Sequence, residues 1–451
     1  MTKSVNSREL ILGILMDVTR DGEYSHIAIR NVLSKYQYLD KQDRAFITRI
    51  TEGTIEQMIL LDYIINQFST VKVNKMKPVI RNILRSAVYQ LKFMDSIPAS
   101  AICNEAVKLA TAKGFSNLKG FVNGVLRNIS RNLDDIIYPG EDGDEILYLS
   151  VNYSMPEWIV KKWYSEYGFL QTKAMLESFL MDRNTSIRCN LNKISPEDLM
   201  KRLESEHVKA ERSEYLDYAI EISGYDYLNA VPSFREGLFQ VQDVSSMLVS
   251  EIAAPKKDDY VIDVCAAPGG KSLHIAEKLA GTGHVEARDL TEYKAGMIRE
   301  NIERAGALNI EAMVADACVF DKESVEKADI LIADLPCSGL GVIGRKTDIK
   351  YKMTPEKQKE LVQLQRKILG TVKDYVKKGG TLIYSTCTIN PEENLENVKW
   401  FTQEYPFTME SIDPYICEKL QSVETKQGYL QMLPGIHHGD GFFIARLKRN
   451  E

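Results

Sequence analysis

The sequence predicts a multidomain protein. It has an all-α domain over residues 1–140, a small mixed α/β linking subdomain over 141–235 and a doubly wound α/β domain over 236–451. Three observations predict this. Up to about residue 135, apolar residues recur at helical spacing, with Gly and Pro mainly between the runs. From about 236, strand-like apolar runs alternate with helical ones, the pattern of a parallel sheet. One of those strands runs into a small-residue turn, Asp263-Val264-Cys265-Ala266-Ala267-Pro268-Gly269-Gly270-Lys271, that opens a helix. A chain of 451 residues has room for two or three domains.

The first helix is expected to be capped by Ser7 and to bury Leu10, Ile11, Ile14, Leu15 and Val18 on one face. Asp40 is expected to cap a second, and further helices are expected over 55–68, 78–93, 99–111 and 118–129. The polar, turn-rich run Pro139-Gly140-Glu141-Asp142-Gly143-Asp144 marks a boundary. After it come helices near 158–167 and 171–179, a strand over 186–191 and a helix over 196–203. In the last part strands are expected at 261–264, 284–287, 310–314, 330–333, 381–384 and 441–447. Helices over 291–305 and 355–377 lie between them.

Charge is uneven. The net charge is -6, yet residues 1–140 carry 19 basic and 13 acidic residues, while the remainder carries 38 and 50. Such asymmetry points to a polyanion at the basic end. Within that end, the stretch from Tyr63 to Met94 has no Asp or Glu but holds Lys72, Lys75, Lys77, Arg81, Arg85 and Lys92. Arg81 and Arg85 share a helix face. The stretch reads either as a solvated face or as a phosphate-contact surface. The seven cysteines are scattered through a large chain, which argues for reduced thiols. No two have zinc-ligand spacing, so no metal is expected. No apolar run reaches membrane-spanning length and the first residues lack a signal-peptide core, so a cytoplasmic protein without membrane contact is expected.

The small-residue turn lets the backbone approach a ligand, and its amides face the polar atoms of that ligand. Only two glycines precede Lys271-Ser272, so a phosphate loop is not met. Asp289 ends the next strand, 26 residues after Asp263, where an acid reaches ribose hydroxyls. Two later strands end alike, one in Asp334-Leu335-Pro336-Cys337-Ser338-Gly339 and one in Ser385-Thr386-Cys387-Thr388. In a parallel sheet the carboxyl edge is the ligand edge, so both thiols and Asp334 are expected around one pocket. The other cysteines read as small buried hydrophobes.

These runs closely resemble the RsmB/Nop2/NSUN group of RNA cytosine-5 methyltransferases. The resemblance rests on the 263–271 turn, Asp334-Leu-Pro-Cys337, Ser-Thr-Cys387, Asn390-Pro391-Glu392-Glu393-Asn394 and Asp440-Gly441-Phe442-Phe443. Asn390 is expected to cap the next helix, with Pro391 at its first position. The helical N-terminal part is similar to a NusB-type RNA-binding domain. The resemblance implies a Rossmann-like domain that binds S-adenosyl-L-methionine (SAM) through Cys265, Ala266, Ala267, Pro268, Gly269, Gly270, Lys271, Asp289, Asp316 and Asp334. It implies Cys387 as the nucleophile on cytosine carbon 6, Cys337 as the residue that assists product release, and Asp334 at the N3 edge. The NusB-like part favours small-subunit (16S) ribosomal RNA, free or partly assembled, over transfer RNA. The departures are small. Leu335 stands where Ala is usual, Arg288 precedes Asp289 where an apolar residue is common, and the run 345–351 leaves RNA contact through Arg345 open.

Three rivals remain at this stage. A DNA cytosine-5 methyltransferase would place its nucleophile at Cys337. An exocyclic-amino methyltransferase would need an Asn/Asp-Pro-Pro-aromatic run, which is lacking after the fourth strand. A non-catalytic RNA-binding factor would show a degenerate turn or no Cys387.

Overall fold

The computed structural model describes residues 6–450. Its contacts divide the chain into two units. The first comprises residues 1–180 together with 343–352, and the second 181–342 together with 353–451.

The first unit is helical. Its helices are α1 (Ser7–Thr19), α2 (Ser25–Lys35), α3 (Lys41–Glu56), α4 (Met58–Phe68), α5 (Pro78–Phe93), α6 (Ala99–Ala112), α7 (Lys119–Arg131), α8 (Glu145–Asn152) and α9 (Glu157–Leu180). The apolar faces expected of α1, α3 and α5 meet in one core with Ile47, Ile50, Leu61, Ile64, Leu84 and Val88. Three details differ from the sequence reading. Asn6 caps α1, accepting from the Arg8 N–H at 3.0 Å, and Ser7 is the first helical residue. The run expected as one helix over 55–68 breaks at Gln57, which ends α3 and starts α4. The helix α2, which sets Ala28, Ile29, Val32 and Leu33 against the core, is absent from the sequence reading. In α9, Gly168 adopts φ 76°, a left-handed conformation that separates the two helical runs expected there.

A loop from late in the sequence completes this unit. Within 343–352, Asp348 accepts from the Ser25 N–H at 3.1 Å and the Ser25 hydroxyl at 2.8 Å. Lys350 is 2 % exposed and donates to the Glu56 carbonyl at 2.8 Å. Burial pushes the Lys350 ammonium down to about 7, against the pull of Glu56. Tyr351 packs on the helical core, its hydroxyl 3.3 Å from Ser154 Oγ.

The second unit holds two sheets. The smaller is antiparallel, in order β2-β3-β1-β4, from β1 (Thr185–Cys189), β2 (Lys209–Arg212), β3 (Ala219–Ser223) and β4 (Phe239–Val241). The larger contains β5 (Tyr260–Asp263), β6 (His284–Asp289), β7 (Ile310–Val314), β8 (Ala328–Asp334), β9 (Val376–Thr386), β10 (Phe407–Met409), β11 (Tyr429–Met432) and β12 (Phe442–Arg449). Its order is β10-β12-β9-β8-β5-β6-β7, with β11 also on β12. Strands β5 to β9 are parallel, and β12 runs antiparallel to β9. The chain winds outward from β5 in both directions, so the switch point lies between the carboxyl ends of β5 and β8. The helix expected over 355–377 ends at Val372, and β9 begins at Val376, five residues before the expected strand start at 381. Among the described residues no helix is long and apolar enough to cross a membrane.

Candidate active site

Three strand ends converge. After β5 the chain turns through 264–269 into the helix Gly270–Lys278. Gly269 sits at φ 103° at the start of that helix. A Cβ there would come within 3.2 Å of Ile298, so glycine satisfies both the left-handed backbone and the close packing. The helix start has no side-chain cap, which leaves its first amides available.

Two carboxylates pin this turn. Asp263, 1 % exposed, accepts from the Ser272 hydroxyl at 2.6 Å and the Cys265 N–H at 3.3 Å. Burial pushes its carboxyl up to about 7 despite those bonds. Asp289, at the end of β6, accepts from the Ala267 N–H at 2.9 Å and the Leu290 N–H at 2.7 Å, and pairs with Lys294 at 2.9 Å. Asp316, past β7, is exposed and accepts from the Cys318 N–H at 2.8 Å. Burial among Asp263, Asp289 and Asp334 pushes the Cys265 thiol up.

Asp334, at the end of β8, lies opposite Ser385 of β9 and accepts from its hydroxyl at 2.8 Å. Its other oxygen pairs with Lys271 at 2.7 Å. Burial works against the Lys271 cation, but Asp334 outweighs it and keeps the proton on, with help from Asp263 and Cys387. Beyond these strands the two sulfurs, Cys337 Sγ and Cys387 Sγ, stand 3.2 Å apart. The bond to Cys387, then burial, then the nearby Cys387 and Glu393 charges push the Cys337 thiol well up. Either thiol can donate to the other across that distance of 3.2 Å. The structure thus brings together Cys337, Cys387, Asp334 and Lys271, as the strand ends predicted.

The expected Asn390 cap is not made. A short 3-10 turn, Pro391–Glu393, follows Asn390, and the regular helix starts only at Leu395. The Asn390 amide instead donates to Glu393 at 2.8 Å and to Ser338 Oγ at 2.9 Å. Other contributors escaped the sequence reading. Arg188 of β1, 1 % exposed, pairs with Glu277 at 2.7 Å and donates to the Gly270 carbonyl at 2.8 Å. Gly341 and Gly441 cross so closely that a Cβ on Gly341 would lie 1.9 Å from the Gly441 carbonyl oxygen. The Gly341 N–H also donates to the Cys387 carbonyl at 3.1 Å. Close Gly–Gly spacing across distant segments leaves no local sequence signal; only the Gly441-Phe442 pair had been noticed.

In the first unit the basic stretch separates into two kinds of residue. Lys72, Lys75 and Lys77 are exposed, and Lys72 donates to the Asn66 carbonyl at 3.3 Å. Arg85 is buried and forks onto Asp62, at 2.6 Å through Nε and 2.5 Å through Nη2. This corrects the expectation that Arg85 faces a phosphate: its carboxylate partner stands one residue outside the acid-free stretch. Arg81 is half-buried, and burial and Arg85 lower its guanidinium. Arg345 is exposed, in the loop that joins the helical unit.

Residues 250–448 match the 16S rRNA methyltransferase RsmB/F family, 5–131 the NusB family and 155–225 the ferredoxin-like domain of RsmF/B-like methyltransferases. The probable ribosomal RNA small subunit methyltransferase B of Bacillus subtilis (strain 168) is 35% identical over 455 residues, covering 99% of both chains. The chain belongs to the RsmB/F family of 16S rRNA methyltransferases. The probable ribosomal RNA small subunit methyltransferase B of Synechocystis sp. is 32% identical over 452 residues, covering 99% of this chain and 100% of that one. The crystal structure of PH0851 superposes with a TM-score of 0.81 at 26% identity, covering 99% of each chain. Membership in the RsmB/F family makes this a SAM-dependent methyltransferase of small-subunit ribosomal RNA with a NusB-like N-terminal part.

Proposed function

We propose that the protein methylates carbon 5 of a cytosine in 16S rRNA through a covalent adduct with Cys387. The observation that carries the reading is the pair of sulfurs 3.2 Å apart at the ends of two adjacent parallel strands, beside Lys271 and Asp334. Asp289, Asp316, Asp334 and the 265–271 turn suit SAM. Buried carboxylates can accept from ribose hydroxyls, the uncapped helix amides can donate to a carboxylate, and Asp316 can accept from the adenine amino group. SAM supplies an electrophilic methyl on a sulfonium centre.

Cytosine carbon 5 is too weak a nucleophile to take a methyl unaided. The Cys387 thiolate adds to carbon 6 and makes carbon 5 enamine-like. The Lys271 cation favours that thiolate, and Cys337, held as a thiol, donates to it. Asp334 bonds the N3 edge as charge develops on the ring. After methyl transfer water takes the carbon-5 proton, the freed electron pair restores the 5,6 double bond, and the bond from carbon 6 breaks so that Cys387 leaves as a thiolate. Cys337 serves that release as a proton donor to the leaving sulfur. Attack on a base face requires an unstacked base. The exposed Lys72, Lys75 and Lys77 then offer their ammonium groups to RNA phosphates, and Arg345 is exposed as well.

The test is the adduct. Cys337→Ala should accumulate a protein–RNA species that survives denaturing electrophoresis and requires SAM, whereas Cys387→Ala should form none and be inactive. An adduct in Cys387→Ala alone would reverse the roles and favour the DNA-type arrangement. Two active single mutants without any adduct would end the covalent reading.

A further inference from the structure

We infer that Glu393 is the positioning residue that fixes the spacing of the two thiols. The inference rests on the reading that both thiols serve one cytosine. Glu393 is wholly buried, and its carboxylate lies between the two cysteine loops. From the Cys337 side it accepts the Ser338 N–H at 2.8 Å and the Ser338 hydroxyl at 2.5 Å. From the Cys387 side it accepts Asn390 Nδ2 at 2.8 Å. Gln365 donates to it at 3.2 Å and to the Pro336 carbonyl at 2.9 Å, which fixes the residue just before Cys337. Ser338 Oγ also meets Thr388 Oγ1 at 2.8 Å, so the residues next to both cysteines are joined a second time.

A carboxylate with this many donors is held in place, and it holds them in turn. Asn390 Nδ2 to Ser338 Oγ at 2.9 Å and the Gly341 N–H to the Cys387 carbonyl at 3.1 Å also tie the loops, but Glu393 gathers donors from both at one carboxylate. A glutamine here would offer one acceptor oxygen and an NH2 group facing the donors Ser338 N–H or Asn390 Nδ2. At least one loop must then shift. Glu393 touches neither thiol through a hydrogen bond, so it acts through Ser338 and Asn390. Its negative charge also contributes to keeping the proton on Cys337.

Diamide reads the spacing without RNA or SAM. It takes two protons and two electrons from the thiol pair, is reduced to the hydrazine, and leaves a disulfide. Wild-type protein should form the Cys337–Cys387 disulfide rapidly, detected by peptide mass after the remaining thiols are alkylated. Glu393→Gln should slow it at least about tenfold and lower the kcat of methylation about a hundredfold, the cost of an ångström-scale misplacement. Its KM for SAM should be unchanged. Alkylation of Cys337 should shift to lower pH, which loss of stability alone would not produce. A folded Glu393→Gln protein with the wild-type disulfide rate and alkylation profile would overturn the inference. If that variant does not fold, Ser338→Ala decides: it keeps the N–H bond, and an unchanged disulfide rate in it would equally overturn the inference. A slowed disulfide with full methylation would leave Glu393 in its role and sink the two-thiol reading instead.

Discussion

Two ion pairs stand in the two regions that the sequence marks for function, and they differ in kind. Lys271–Asp334 is a single contact of 2.7 Å at the strand ends, and its carboxylate is 25% exposed. Arg85–Asp62 is a two-pronged fork whose arginine side chain is 8% exposed, set among the residues of the helical core. The carboxylates are equally open, at 27% for Asp62 and 25% for Asp334, so the difference lies in the fork and the setting. A fork between α4 and α5 holds helices together. A single contact beside open amides can be exchanged for a ligand. Residue type reveals the charge; only the partner and the geometry of the contact reveal the task.

Lys271→Met should break this contrast most strongly. Loss of a cation aimed at the reacting centre should lower kcat about a hundredfold or more while the protein still melts near the wild-type temperature. If methylation persists and only the melting temperature falls, Lys271 is a staple like Arg85.

Arg85→Met tests the other side. It should cost about 2 kcal/mol, below the 3–5 of a fully buried pair because Asp62 reaches water. Thermal denaturation should record that loss, and SAM affinity should not change. A stable Arg85→Met protein with weakened RNA binding would return Arg85 to the phosphate surface.

The contrast sharpens within the same stretch. Lys75→Glu with Lys77→Glu should weaken RNA binding and reduce its salt slope by about two, somewhat less on single strands. The fold should be untouched, since both side chains are exposed. An unchanged slope would make them solvent-facing residues only.

The smallest expected effect concerns Lys350, the buried cation that donates to the Glu56 backbone carbonyl. Its folded value of about 7 lies below the ordinary 10.5. Below pH 7 both folded and unfolded chains carry the cation, and the folded chain bears the full burial cost. Between pH 7 and 10.5 the unfolded chain holds more protons, so the cost fades as pH rises. Lys350→Met should therefore raise the melting temperature at pH 6 and do so less at pH 10. A gain equal at both values would mean that folding does not lower the Lys350 ammonium below its ordinary range.

How much of this was legible depended on the range of the signal. The 263–271 turn, the strand ends at Asp334 and Cys387 and most helices of the first unit are local patterns and stand where the sequence placed them, whereas α2 and the break at Gln57 do not. Arg85 was misread because Asp62 lies 23 residues away in sequence and beside it in space. Asn390 carries the signature of a cap, yet its amide is drawn to the buried Glu393 carboxylate and to Ser338 Oγ. The Gly341–Gly441 crossing and Arg188 on Gly270 join segments 100 and 82 residues apart, a distance no window covers.

The loop 343–352 has a consequence for dissecting the molecule. Because Asp348, Lys350 and Tyr351 fill the interior of a body otherwise made from residues 1–180, severing the chain at 180 removes part of that body's own core. The fragment would keep Ser25 and the Glu56 carbonyl without their partners. A synthetic peptide spanning 343–352 is the natural complement to such a fragment, and the helical part is portable between proteins only as two discontinuous pieces of gene.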